Sequence, residues 1–145
     1  ADGVRDGSEG SAGVGWGGAS STISGGDREH SIFGGADDDL VVVTVGNDRM
    51  ADADVTDTLA GGNGGDSVSG GLDDDLIFGD NDNDLIGGNE GNDTIYGGNG
   101  NDREYGGPGN DSIAVGRGTD QIWGGAGKDR LSAGDGNDMI DGGAG

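Results

Sequence analysis

From Asp39 to Asp138 every ninth residue is an aspartate: Asp39, Asp48, Asp57, Asp66, Asp75, Asp84, Asp93, Asp102, Asp111, Asp120, Asp129 and Asp138. The twelve stand in register, with no insertion or deletion. Two residues after each runs a second column: Val41, Met50, Leu59, Val68, Ile77, Ile86, Ile95, Glu104, Ile113, Ile122, Leu131 and Ile140. Glu104 is its one member that is not apolar. A strict period of this kind means one small unit stacked on itself. A carboxylate at constant spacing along the stack means repeated cation sites.

Composition alone points elsewhere. Only 29% of the 145 residues are hydrophobic, 38 are glycine, and the formal net charge is −22. Such chains are ordinarily disordered, but random polar sequence does not hold a nine-residue register. A surface this acidic repels nucleic acid and anionic membranes and attracts cations. The sequence has no apolar run of the length that spans a bilayer. Cysteine is absent, which removes disulfides and thiolate metal sites. His30 is the one histidine, so zinc, iron or copper is poorly supported. No stretch resembles a signal peptide. The chain starts at Ala1 and stops at Gly145 inside a repeat, and it reads as a piece cut from a longer array.

The cleanest units are Gly61–Ser69 (GGNGGDSVS), Gly106–Ala114 (GGPGNDSIA) and Gly124–Ser132 (GGAGKDRLS). Each has glycine at positions one, two and four, aspartate at six and an aliphatic residue at eight. Glycine permits positive φ, so the first six residues can form a tight turn. The last three read as a minimal strand with one side chain facing inward. Two units make one coil of 18 residues, and successive coils stack as parallel strands about 4.8 Å apart. The chain length then gives about eight coils, all-β, in two sheets. The inward column begins with Val14, Ile23 and Ile32 and continues through Val41 and Met50 to Ile140.

This core is too thin to hold the fold. Each inward side chain contributes about 1.5–3 kcal/mol on burial. Ordering a whole coil costs more than two such side chains return. Residues one coil apart lie above one another, so one edge stacks Asp39, Asp57, Asp75, Asp93, Asp111 and Asp129. The other stacks Asp48, Asp66, Asp84, Asp102, Asp120 and Asp138. Stacked carboxylates repel, and a divalent cation between them turns repulsion into cohesion. Calcium is the natural choice, since it accepts six to eight oxygen ligands in flexible geometry, whereas magnesium demands an octahedron. Ten such gaps filled by Ca2+ would bring +20 against −22.

The units resemble the repeats-in-toxin (RTX) calcium-binding nonapeptide, GGxGxDxUx with U a large aliphatic residue. The match is close from Gly34 to Gly145 and by period only from Gly7 to Phe33. The resemblance implies a right-handed parallel β-roll, calcium-dependent folding, and export by a type I secretion system from a Gram-negative bacterium to the cell surface or beyond. In that family the position-six carboxylate ligates calcium, together with backbone carbonyls of positions two and four. Carried over, the ligand sets are Gly62, Gly64 and Asp66; Gly98, Gly100 and Asp102; and Gly107, Gly109 and Asp111. They continue with Gly116, Gly118 and Asp120; Gly125, Gly127 and Asp129; and Gly134, Gly136 and Asp138. Asn89 stands for the second glycine beside Gly91 and Asp93. Asp37, Asp73 and Asp82 stand at position four. Asp75 and Asp84, and Asp39, Asp48 and Asp57 further upstream, complete the metal column.

Local departures carry expectations of their own. The turns Val43–Asp48 and Asp52–Asp57 have lost the glycine pair, so weaker calcium sites or distorted turns are expected there. Glu104 in the aliphatic column requires a displaced strand or a partly solvated carboxylate. Residues 1–33 keep the inward column but hold Ala12, Ser21 and His30 where aspartate would stand, and read as calcium-poor coils or a cap. Residues 34–145 read as the calcium-binding repeats.

The leading expectation is a calcium-binding module of a secreted protein, folding outside the cell and serving secretion, stability or surface architecture. It is not read as an enzyme, since the carboxylates belong to the repeat and His30 has no triad around it. The glycine patterns precede no helix and so are not a dinucleotide fingerprint. The alternative is a carbohydrate- or surface-binding module. Position nine points outward and carries Phe33, Val42, Phe78, Tyr96, Tyr105 and Trp123, of which Tyr105 and Trp123 are the candidate sugar platform, flanked by Arg103 and Gln121. Its partners would be polysaccharide or a neighbouring domain of the parent protein. Ice binding would need flat ranks of threonine and asparagine; position three has no threonine, and the position-five asparagines lack a partner rank.

Overall fold

A nine-residue unit with one inward apolar side chain can only be satisfied by a copy of itself, and the fold is that repetition. The computed structural model describes residues 3–5, 13–15, 22–26, 31–35, 37–51 and 55–145, the first two segments as backbone only. Every element there is a β-strand or a turn.

Strands are numbered in chain order. One sheet contains β1 (Gly3–Arg5), β3 (Thr22–Ser24), β5 (Leu40–Val42), β7 (Thr58–Asn63), β9 (Leu76–Asn81), β11 (Thr94–Asn99), β13 (Ser112–Gly118) and β15 (Arg130–Ser132), in that spatial order. The short β16 (Asp135–Gly136) pairs beside β13. The second sheet runs β2 (Gly13–Gly15), β4 (Ser31–Phe33), β6 (Arg49–Ala51), β8 (Ser67–Gly71), β10 (Leu85–Asn89), β12 (Arg103–Pro108), β14 (Gln121–Ala126) and β17 (Met139–Asp141). All neighbours are parallel and offset by 18 residues, for example Ile77 with Ile95 and Ile95 with Ile113. The chain therefore passes from sheet to sheet at each unit, as the two-unit coil requires. Among the described residues each sheet path carries eight strands, one per 18-residue coil.

The strands from β7 to β14 are longer than the three residues read from the sequence, five to seven each. In β7 the pairing skips Gly61 and resumes at Gly62 with Asp80 and Asn63 with Asn81. The glycine pair thus bends the strand without ending its hydrogen bonding to the next coil.

The core is the predicted column: Ile23, Ile32, Val41, Met50, Leu59, Val68, Ile77, Ile86, Ile95, Ile113 and Ile122 are buried. Val43 and Val115 join it from position one, where most units have glycine. At the C-terminal end the column opens, with Leu131 only partly buried and Ile140 50% exposed. Leu131 lies in β15 and Ile140 in β17, the last strand along each sheet path.

Candidate metal centre

The turn geometry starts from two residues per unit held at positive φ, positions two and four. Gly62 (φ +91°) and Gly64 (φ +120°) show it in the cleanest unit. Every described non-glycine residue at positive φ falls on the same two positions: Asp80 and Asn89 at two, Asp37, Asp73 and Asp82 at four. Asn and Asp are the side chains that tolerate this region best. The departures from the repeat therefore keep its backbone, and Asp80 is one that sequence reading passed over.

That backbone places each aspartate where its Oδ1 accepts the main-chain N–H of the aspartate one coil before. Asp57 accepts from Asp39 at 2.6 Å, Asp75 from Asp57 at 2.9 Å, Asp93 from Asp75 at 2.9 Å and Asp111 from Asp93 at 2.9 Å. The second edge repeats the pattern, from Asp48 to Asp66 at 2.7 Å through to Asp120 and Asp138 at 3.0 Å. The stacked carboxylates are thus tied to the backbone of the preceding coil, where the sequence suggested only mutual repulsion. The ladder also runs on through Val43–Asp48, so losing the glycine pair has not broken it.

The other oxygen is differently placed. Oδ2 of Asp66, Asp84, Asp93, Asp102, Asp111, Asp120 and Asp129 is buried without a hydrogen-bond partner. Where position one is glycine, this oxygen lies over it: a Cβ on Gly61 would sit 2.5 Å from Asp66 Oδ2, and one on Gly124 would sit 2.6 Å from Asp129 Oδ2. Burial pushes Asp66 and Asp84 up to about 7; the ladder hydrogen bond opposes this, and neighbouring aspartates add to it. Burial likewise pushes Asp93 and Asp102 up to about 6 and raises Asp111 and Asp120. A carboxylate whose pKa rises on folding disfavours the folded state once ionised. The cost is absent below the unfolded value of 3.8 and complete once pH exceeds the folded values of about 6 to 7. At neutral pH the metal-free roll works against itself.

A cation resolves the conflict, and the donors suit a hard one. A Cβ on Gly100 would run into the Asp82 carbonyl and lie 2.9 Å from Asp102 Oδ1. The same holds at Gly118, with the Gly100 carbonyl and Asp120 Oδ1 (2.7 Å), and at Gly136, with the Gly118 carbonyl and Asp138 Oδ1 (2.8 Å). A position-four carbonyl of the preceding coil and a position-six carboxylate thus converge on the bare face of Gly100, Gly109, Gly118 and Gly136. Every donor is oxygen, the set calcium prefers. Among the described residues no group of three or more His, Cys, Asp or Glu side chains is placed to hold a metal by itself. A cation here would take most ligands from main-chain carbonyls, with one carboxylate per turn.

The ligand positions read from the sequence recur in stacked turns ending at Asp66, Asp93, Asp102, Asp111, Asp120, Asp129 and Asp138, with position-two carbonyls facing the position-two glycine one coil on, as Gly98 faces Gly116. All these aspartates are buried except Asp129 and Asp138, which are half-buried near the open end. His30, Ala12, Ser21 and residues 52–54 lie outside the described residues, so the expectations attached to them do too.

Sequence reading missed a second ladder. Position-five Oδ1 atoms accept the N–H of position five one coil later, opposite in sense to the aspartates. Asn83 accepts from Asn101 at 2.6 Å, Asn101 from Thr119 at 2.8 Å and Asn110 from Lys128 at 3.0 Å. Asn63, Asn81 and Asn99 form an amide stack at position three. The recurrence of asparagine was visible; its job is to stitch turns together.

Glu104 corrects an expectation. Its strand is neither displaced nor its carboxylate solvated: it pairs in register between Ile86 and Ile122 and is 0% exposed. Burial, with Asp102, Asp120 and Asp84 nearby, pushes it up to about 9. On the outer face Tyr105 and Trp123 stack with centroids 4.5 Å apart and planes 2° apart, and Arg103 Nε donates to Gln121 Oε1 at 3.2 Å beside them. Phe78 and Tyr96 stack at 5.2 Å on the other sheet.

Residues 16–50, 54–86, 79–113 and 115–145 match the family model of the RTX calcium-binding nonapeptide repeat, in four copies. No curated protein matches the chain.

Proposed function

The chain belongs to the RTX calcium-binding nonapeptide repeat family, and on that premise we propose that it is a module that folds on meeting extracellular calcium. It is a calcium-binding β-roll module. The observation that carries the folding reading is the column of buried Oδ2 atoms without partners. A ligand that binds only the folded state supplies folding free energy. Without it, a net charge of −22 keeps the chain open. Such a chain stays extended in a calcium-poor cytoplasm, which suits passage through a type I secretion system, and compacts outside a Gram-negative cell. There it serves stability or surface architecture; the reading gives it no catalytic role.

Far-ultraviolet circular dichroism tests this. Raising calcium from micromolar to millimolar at pH 7.5 should produce a cooperative change from coil to β. At pH 6 the midpoint should move to higher calcium, because protons then compete at Asp66 and Asp84. A chain already β-rich in excess EGTA would contradict the reading.

The stacked Tyr105–Trp123 pair supports a second reading, a surface that takes polysaccharide. Tyr105 is 41% exposed, and Arg103 and Gln121 supply polar neighbours. Aromatic faces of this kind stack on sugar rings. Tyr105→Ala and Trp123→Ala should each abolish glycan-array binding while leaving calcium-induced folding intact. If the native module binds no glycan, the pair only shields its sheet.

A further inference from the structure

The interior column is apolar from Ile23 to Ile122 except at Glu104. Both Glu104 oxygens are buried and without a hydrogen-bond partner. One coil earlier, a Cβ at Gly79 would meet Asp84 Oδ2 at 2.5 Å, the Gly97 carbonyl oxygen at 2.6 Å and Ile86 Cδ1 at 3.1 Å, so two oxygens and a methyl group surround that glycine. The equivalent glycine under Glu104 is Gly97. A Cβ there would run into Glu104 Oε1 and lie 2.9 Å from Asp102 Oδ2 and 3.1 Å from the Val115 carbonyl oxygen. The carboxylate and carbonyl oxygens recur from the neighbouring coil, and Glu104 Oε1 replaces its methyl group, so three oxygens gather over Gly97. Two of them belong to carboxylates that are almost wholly buried, and Asp102 Oδ2 is itself without a partner. The basic residues nearest in sequence, Arg103 and Arg117, are exposed on the surface.

We propose that Glu104, Asp102 Oδ2 and the Val115 carbonyl hold a divalent cation inside the roll, over Gly97, as a site separate from those of the turns. Two carboxylates match the charge of one such ion. An all-oxygen set of irregular geometry suits calcium better than magnesium, and it excludes the nitrogen and sulfur preferences of zinc. Asp102 serves both places, since its Oδ1 faces the backbone of Asp84 and the turn while its Oδ2 faces inward. A glutamate at the position where all eleven other units place a branched aliphatic residue or methionine is then a ligand, not a packing error.

The inference rests on the roll taking up calcium, and the experiment separates the two claims. Bound Ca2+ per chain would be counted by equilibrium dialysis at saturating calcium for the native chain, Glu104→Gln and Glu104→Ile. Each variant should hold one ion fewer than the native chain. Glu104→Ile matches its neighbours Ile86 and Ile122 and should still show the calcium-induced β signal; Glu104→Gln preserves shape if it does not. Equal counts in all three chains would overturn the interior site and leave the turn sites standing. No uptake by the native chain would remove both claims together.

Discussion

Asp111→Ala should lower the stability of the calcium-saturated roll by about 1–3 kcal/mol and raise its calcium midpoint. The side chain has two jobs. Its Oδ1 accepts the Asp93 N–H at 2.9 Å, and its Oδ2 is buried with no hydrogen bond. Alanine removes both and leaves the buried Asp93 N–H without its acceptor, which costs about the amount given. Asp111→Asn divides the jobs. The amide oxygen can keep the ladder bond, while the charge that holds a cation is lost. Urea denaturation at saturating calcium should therefore separate the two variants. Alanine should be the less stable of the two, and both should need more calcium than the native chain to fold. A chain in which neither variant shifts the calcium midpoint would show that the column does not carry the metal.

Gly116→Ala should be at least as damaging, for a steric reason. Gly116 has φ +106°, and a Cβ there would fall on the Gly98 carbonyl of the preceding coil. The left-handed backbone costs a residue with a side chain roughly 1–2 kcal/mol. Forcing stacked backbones apart adds roughly 1–3 kcal/mol. The parallel substitution Gly87→Ala should change stability by less than about 0.5 kcal/mol. At Gly87 the nearest atoms are those of the Asn89 amide, at 3.8 and 3.9 Å, and φ is not positive. Thermal or urea melts in calcium would compare them; equal losses at both sites would mean that glycine matters only for chain flexibility.

Much of this was legible in the sequence. The aspartate column and the aliphatic column fixed the 18-residue coil, because a strict period admits one stacking register and the side-chain alternation of a strand admits one inward face. The pairs Phe78–Tyr96 and Tyr105–Trp123 followed from the same arithmetic. What the sequence did not carry is the use of each oxygen. An aspartate at position six looks the same whether both oxygens face a metal or one is committed to a backbone N–H. The asparagines at position five looked like ordinary turn residues because their partners lie 18 residues away. Glu104 looked like a fault because its relation to Gly97 runs across the interior, between the two sheets. Strand length escaped for a related reason: glycine signals a turn in sequence, yet Gly62 still pairs with the next coil.

The central claim is that calcium supplies the order which the thin core cannot. Amide hydrogen exchange at the ladder is its most direct test. Asp66, Asp84, Asp93, Asp102 and Asp111 each give their N–H to an aspartate one coil on. With millimolar calcium these five amides should be strongly protected, and in excess EGTA at the same pH they should exchange at the rates of an unfolded chain. Equal protection in both conditions would contradict the account.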